Sequence, residues 1–224
     1  MQNYAVQINK QGDHMEANVI TMPVGNFATN CYLVYDDNNV GVIVDPGGEA
    51  KKILEAVEAY KLDIKAILLT HGHCDHLAAA AEVQEALKLP LYIHPDDVEE
   101  LKRCREEALE FGLEEPKGAP NVTDSFQEGQ ILKFGALEFR VLHTPGHTPG
   151  GVTLVCGAKA FCGDTIFRAS VGRTDFPGGD QRRLFTSIQN KIYALAEDTI
   201  LFTGHDAKTS VGYEKRNNPF VRGK

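Results

Sequence analysis

Two periodicities alternate along the chain, and their order predicts the elements. Short apolar runs of strand-type composition fall at 17–24, 31–35 and 40–44. The last two are joined by Asp36-Asp37-Asn38-Asn39, which favours a hairpin turn. Asp45-Pro46-Gly47-Gly48 breaks the run, after which Ile53, Leu54, Val57 and Tyr60 recur at helical spacing over 49–60. A strand over 64–69, an Ala-rich helix over 77–88, a short strand at 91–93 and a helix after Pro95 follow. Residues 102–121 are charged, then carry Gly118 and Pro120; without evident core periodicity, they read as a rim or lid. Strands resume at 131–134, 137–142, 152–156 and 159–162, a helix fits 181–195, and 199–203 is the last strand. Residues 1–16 form a polar lead-in. Strands outnumber helices, and both hairpin-type and parallel-type runs occur. The expected class is therefore α/β: two mixed sheets face to face with helices outside, four layers, in one domain over 1–224.

Composition narrows the function classes. The 224 residues are 42 % hydrophobic and 24 % charged, ordinary proportions for a globular chain that buries a substantial core. A net charge of −8 argues against a nucleic-acid backbone as partner, since phosphate binding needs clustered Lys and Arg. Small anionic substrates stay open, because they need only one or two local cations. No apolar run approaches the roughly eighteen residues of a membrane span, and residues 1–12 lack a signal-like apolar core, so a cytoplasmic protein is expected. The five cysteines are odd in number and lack CxxC spacing, as buried free thiols in a reducing compartment would be.

Candidate chemistry concentrates in Thr70-His71-Gly72-His73-Cys74-Asp75-His76, between the strand at 64–69 and the helix at 77–88. Imidazole and carboxylate are ligands that zinc and iron accept. Adjacent side chains on one turn diverge, so all four cannot meet one ion. Alternate members face two: His71 and His73 one ion, Asp75 and His76 the other. A plain helix cap by Asp75 leaves three histidines in one turn without a purpose. Three further apolar runs also end in candidate ligands: 137–142 before His143 and His147, 158–162 before Gly163-Asp164, and 199–203 before Gly204-His205. In α/β folds, sites assemble at the carboxyl ends of strands. Singly, His147 is a turn residue, Asp164 an Asx turn and His205 a core imidazole; jointly they form a site. His14 and His94 lack this placement, His143 is at most an outer partner of His147, and Cys74 is not expected to ligate.

The set His71-x-His73-x-Asp75-His76, His147, Asp164 and His205 resembles the metallo-β-lactamase fold superfamily along essentially the whole chain. Within it, Pro23-Val24-Gly25-Asn26, Asn30-Cys31-Tyr32, the stretch 163–167, Gly172-Arg173-Thr174-Asp175-Phe176 and the tail 212–220 are similar to small glyoxalase II-like hydrolases. The resemblance implies the αβ/βα sandwich. It also implies His71, His73 and His147 on one ion, Asp75, His76 and His205 on the other, and Asp164 bridging. Two divalent ions are expected, zinc first, with iron or manganese as alternatives. The implied activity is hydrolysis of a small-molecule thioester of the S-D-lactoylglutathione type through a metal-bound hydroxide, with Asp75 orienting it. Arg173 falls where larger relatives carry a substrate-binding lysine, and Arg168 is the next candidate. Asp206 departs from the Gly that usually follows the last ligand, and no C-terminal helical domain follows. The His205-Asp206 pair is similar to persulfide dioxygenases, whose single iron would sit on His71, His147 and Asp164. A metal-binding module without catalysis is the non-enzymatic alternative.

Overall fold

The computed structural model describes residues 16–112 and 116–223, so the lead-in, His14 included, lies outside them except for Glu16. The first half of the chain runs β1 (Asn18–Val24), β2 (Thr29–Tyr35), β3 (Val40–Val44), α1 (Ala50–Ala59), β4 (Asp63–Leu68), α2 (Cys74–Leu77), α3 (Ala80–Leu87), β5 (Leu91–Ile93), α4 (Val98–Phe111) and β6 (Asp124–Ser125). These strands form one sheet in sequence order, antiparallel over β1–β3 and parallel from β3 to β6. The second half supplies β7 (Ile131–Phe134), β8 (Leu137–His143), β9 (Val152–Cys156), β10 (Lys159–Gly163), β11 (Ile166–Phe167), β12 (Ser170–Val171), α5 (Gln181–Ser187), β13 (Ile200–Thr203), β14 (Thr209–Ser210) and α6 (Val211–Asn217). Its main sheet has the order β14-β13-β10-β9-β8-β7, and β11 pairs with β12 alone.

Strand alternation explains the layers. Successive side chains point to opposite faces, so Tyr32, Val34, Val42, Val44, Ala66 and Leu68 meet Phe139, Val141, Leu154, Phe161 and Phe202 between the sheets. The odd-numbered neighbours Cys31, Leu33, Ile43 and Ile67 face outward, onto Ile53, Val57, Leu77 and Val83 from the helices. On the far side, Ala160, Cys162 and Leu201 pack against Leu184, Ile188 and Val211. Strands buried on both faces read as continuous apolar runs rather than alternating ones. The expected αβ/βα sandwich is what forms. All five cysteines are buried and outside disulfides, and among the described residues no helix is long and apolar enough to cross a membrane.

Several boundaries differ from the sequence reading. The expected helix at 77–88 is two pieces, because the Ala79 N–H bonds to the Pro46 carbonyl (3.0 Å) and restarts the helix at Ala80. Half of the supposed lid is helical: α4 continues to Phe111, with Leu101, Cys104 and Ala108 buried at helical spacing. The exposed charges between them mask that stripe. Gly112, at φ 64°, ends the helix in a conformation that favours glycine. The helix at 181–195 stays α-helical only to Ser187 and widens to a π-helix over 188–192. The short strands β6, β11, β12 and β14 and helix α6 escape the sequence reading, being two to seven residues long.

One buried carboxylate ties the loops after β4 and β8 together. Asp97, fully buried, accepts from the Gly72 N–H (3.0 Å), the Gly150 N–H (2.5 Å) and the Thr148 hydroxyl (2.7 Å). Removing it strands three buried donors at about 1–3 kcal/mol each, less whatever water recovers. Asp97→Ala is expected to lose about 2–4 kcal/mol in urea unfolding, with an unchanged m-value, and Asp97→Asn distinctly less. A loss below about 1 kcal/mol would mean that the two loops are held in place by other contacts.

Candidate metal centre

The carboxyl ends of β4, β8, β10 and β13 lie on one edge of the sandwich, and their loops bring seven side chains together. His71, His73 and His147 offer ligand atoms within 4.8 Å of one another; so do His71, His76 and Asp164, and so do Asp75, His76 and His205. Asp164 lies between the groups: Oδ1 is 3.3 Å from His76 Nε2, and Oδ2 is 3.5 Å from His147 Nε2 and 3.6 Å from His205 Nε2. Every residue that the sequence nominated as a ligand is in this cluster. The close approach requires glycine at 204, because a Cβ there would overlap Asp164 Oδ1 and lie 2.7 Å from His76 Cε1.

Outer hydrogen bonds aim the imidazoles inward, and here the sequence reading was incomplete. Asp45, at the end of β3, accepts from the Thr70 N–H (2.7 Å), the Thr70 hydroxyl (2.6 Å) and His76 Nδ1 (3.0 Å). With its proton given to Asp45, the Thr70 oxygen accepts from His71 Nδ1 (3.1 Å). His147 Nδ1 donates to the Arg173 carbonyl (2.7 Å) and His205 Nδ1 to the Phe27 carbonyl (3.2 Å). Each bond fixes the tautomer whose Nε2 faces the cluster. His73 is turned the other way, with Nδ1 2.9 Å from His147 Nε2. Thr29 donates to Asp75 Oδ2 (2.9 Å). Asp45 had a recognisable signal, since it follows a strand as the nominated ligands do. Asp97 and Thr29 had none, because their partners are distant in sequence.

The electrostatics divide the cluster. Burial and the neighbouring imidazoles hold His71 well below the usual histidine range, and burial with His147 brings His73 down to about 3, so both are neutral near pH 7. Burial also opposes charge on His76, but Asp75, Asp164 and Asp45 outweigh it and raise its pKa well above 6.5. His205 is raised in the same way by Asp75 and Asp164. Burial would raise Asp75 and Asp164; His76 and His205, joined at Asp164 by His147, hold both below the usual carboxylate range. His71 Nε2, His76 Nε2 and Asp164 Oδ1 are buried without a hydrogen-bond partner. Buried polar atoms in that state cost about 1–3 kcal/mol each. His76 Nε2 and Asp164 Oδ1 face each other as an ion pair at 3.3 Å, and a cation that displaces the His76 proton would satisfy all three atoms, so the donor set fits divalent ions.

The other nominated residues are less central. Arg173 borders the cleft over the cluster, but its guanidinium forms a two-bond pair with Asp175 (2.9 and 2.7 Å). Arg168 lies over the Tyr213 ring, 5.1 Å from its centre, and does not line the cleft. His143 stacks on His94 at 4.1 Å and bonds to the Pro149 carbonyl, bracing the loop that carries His147 without touching His147's ring nitrogens. Cys74 packs in the core on the helix side of the first sheet.

Comparison with known proteins agrees with this architecture. Residues 24–205 match the family model described as the metallo-beta-lactamase superfamily. A hydroxyacylglutathione hydrolase, GloC, of Haemophilus influenzae is 40 % identical over 217 residues, covering 92 % of this chain and 99 % of its own. The solved structure of TTHA1623 in a di-iron-bound form is 39 % identical with a TM-score of 0.83, over 91 % of this chain and all of the other. That of BLEG-1 B3 metallo-beta-lactamase is 36 % identical with a TM-score of 0.84, over 92 % of this chain and all of the other. On its fold, its cluster and these similarities, the chain belongs to the metallo-beta-lactamase superfamily.

Proposed function

We propose that this protein is a binuclear metal-dependent hydrolase of small-molecule thioesters, of the hydroxyacylglutathione type. The observation that carries the reading is the convergence of seven nitrogen and oxygen ligands around buried, partnerless His71 Nε2, His76 Nε2 and Asp164 Oδ1. His71, His73 and His147 would hold one divalent ion, Asp75, His76 and His205 the other, with Asp164 shared. Zinc suits this donor set, and so do iron and manganese. When bound, two such ions supply a water acidified toward neutrality and charge stabilisation for a carbonyl oxygen.

The chain's own groups supply the rest. Asp75, fixed by Thr29 and held ionised by His76 and His205, is too weak a base to store a proton; it orients the attacking water by accepting its hydrogen bond. The water oxygen bonds to the acyl carbon, and the C–S bond breaks with its electron pair on sulfur. Of the two water protons, one goes to the departing thiolate and the other to solvent as the product acid ionises. A thiol of pKa about 8.5 leaves with little protonation, whereas an amine needs a donor. Apart from histidines and cysteine, the described cleft residues offer only Ser170 and the paired Arg173 as side-chain donors, which favours a thioester over an amide. GloC carries the matching activity in its name, and at 40 % identity over nearly its whole length it is the comparison that supports this substrate class.

Metal binding should be visible as proton release. His76 holds a proton near neutral pH and must lose it to ligate, so ion affinity should fall as the pH drops. Titration of metal-depleted protein in buffers of unlike ionisation enthalpy should show two ions per chain and about one to two protons released. His205→Ala should lose mainly one ion. A single ion bound in both proteins would refute the binuclear assignment.

The activity test is anaerobic. Metal-loaded protein should cleave S-D-lactoylglutathione without oxygen, with released thiol equal to released acid. His205→Ala should lower kcat by about a hundredfold or more, since both ions take part. Oxygen uptake with glutathione persulfide and no thioester cleavage would replace the hydrolase by a mononuclear iron dioxygenase. No cleavage of lactoyl or phenylacetyl thioesters and no oxygen uptake with persulfide, in fully loaded protein, would leave a metal-binding module.

A further inference from the structure

Resting on the hydrolase reading, the walls of the cleft say what kind of acyl group it takes. A cleft of about 540 Å³ opens over the cluster. Four segments distant in sequence each contribute one phenylalanine to its walls: Phe27 from the β1–β2 turn, Phe111 from the end of α4, Phe167 from β11 and Phe176 from the loop after β12. Phe111 meets both Phe27 (6.4 Å between ring centres) and Phe176 (6.1 Å) edge-on. The wall reaches the cluster itself, with Phe176 5.4 Å from His73 and Phe167 6.1 Å from His205. Phe27 and Phe111 nonetheless remain 48 % and 44 % exposed, large apolar area facing the open cleft. Burying such area against a ligand is favourable at roughly 25 cal/mol per Å².

Charge points the same way. Among the described cleft residues the one non-histidine cation is Arg173, already paired with Asp175 and lying 4.2 Å from the Phe176 ring centre. Asp206 adds a negative charge, and Glu100 is paired with Arg103 (3.3 Å). Nothing there complements a carboxylate on the acyl chain, and a small hydroxylated acyl group would leave the aromatic wall uncovered.

We infer that the cleft selects thioesters with an apolar acyl group of ring size, such as arylacetyl, over small hydroxyacyl groups. The acyl group lies against Phe27, Phe111 and Phe176, and the thiol part extends toward the mouth. The selection is then independent of the thiol carrier.

Phenylacetyl and D-lactoyl thioesters of one thiol are the direct comparison, made once with glutathione and once with uncharged N-acetylcysteamine. With either carrier, kcat/KM should favour phenylacetyl by at least about tenfold. Phe111→Ala, which alters a half-exposed helix end remote from the ligand atoms, should reduce that ratio by about tenfold. The non-hydrolysable S-benzyl thioether of N-acetylcysteamine should likewise bind at least about tenfold more tightly than the S-(2-hydroxypropyl) thioether. Preference for the lactoyl ester with both carriers, or a ratio that Phe111→Ala leaves unchanged, would overturn this inference and leave the hydrolase reading standing. Cleavage of no thioester, with equal binding of the two thioethers, would overturn both.

Discussion

Asp45 lies outside the proposed ligand set, yet the proposed ligands are positioned through it. It is buried at the end of β3, with φ 51°, a conformation that a non-glycine residue adopts only where its surroundings fix it. Three donors converge on its carboxylate: the Thr70 N–H, the Thr70 hydroxyl and His76 Nδ1. Thr70 relays the constraint to His71, so one side chain orients two imidazoles and pins the end of β4 to the end of β3. The parallel pairing of β3 with β4 makes this possible, because it brings both carboxyl ends to the same edge. Asp97 repeats the device further along the edge, joining the loop of His71 and His73 to that of His147. Two buried carboxylates thus convert strand order into side-chain geometry.

The same arrangement explains why much of the fold was legible. β2, β3, β9 and β10 are buried on both faces, and β4 is over its last three residues, so their apolar composition identified them. A histidine or aspartate within a few residues of a strand's end is placed by the strand, which is why His71, His147, Asp164 and His205, unremarkable singly, could be nominated jointly. What the sequence hid had a physical cause in each case. The break between α2 and α3 depends on the Pro46 carbonyl, more than thirty residues earlier. The buried stripe Leu101, Cys104 and Ala108 is thin, and the charged residues between obscure it. Helix α6 is short and is held by Glu214, whose carboxylate takes bonds from Thr209, Asn218 and the Ala169 N–H, the last of them distant in sequence. For Arg173 the motif gave the position, and the coordinates add what a sequence cannot show, an exposed two-bond pair between its guanidinium and Asp175.

Within the site, proximity alone does not make the two halves alike. At His71 and His73 burial and the neighbouring imidazoles outweigh the nearby carboxylates, which keeps both rings neutral. His76 and His205 face Asp75 and Asp164, and there the carboxylates outweigh burial and raise both imidazoles, His76 the more strongly. In the second half a cation must therefore compete with protons, and in the first it need not. The asymmetry arises from where Asp75 and Asp164 project, on a helix turn and at a strand end respectively.

The scaffold and the selectivity lie on different elements. Ligands come from the ends of strands in the rigid sandwich, where a shift of a fraction of an ångström would disturb several buried bonds at once. The cleft walls come from a turn, a helix end, a two-residue strand and a loop, each able to change its side chain without moving a ligand. Phe111 shows the separation: it borders the cleft from the end of α4, and its ring contacts are with Phe27 and Phe176, not with the imidazoles. A fold built this way can keep one hydrolytic centre while its walls choose among acyl groups, so the activity of a relative informs the chemistry here more strongly than it informs the substrate.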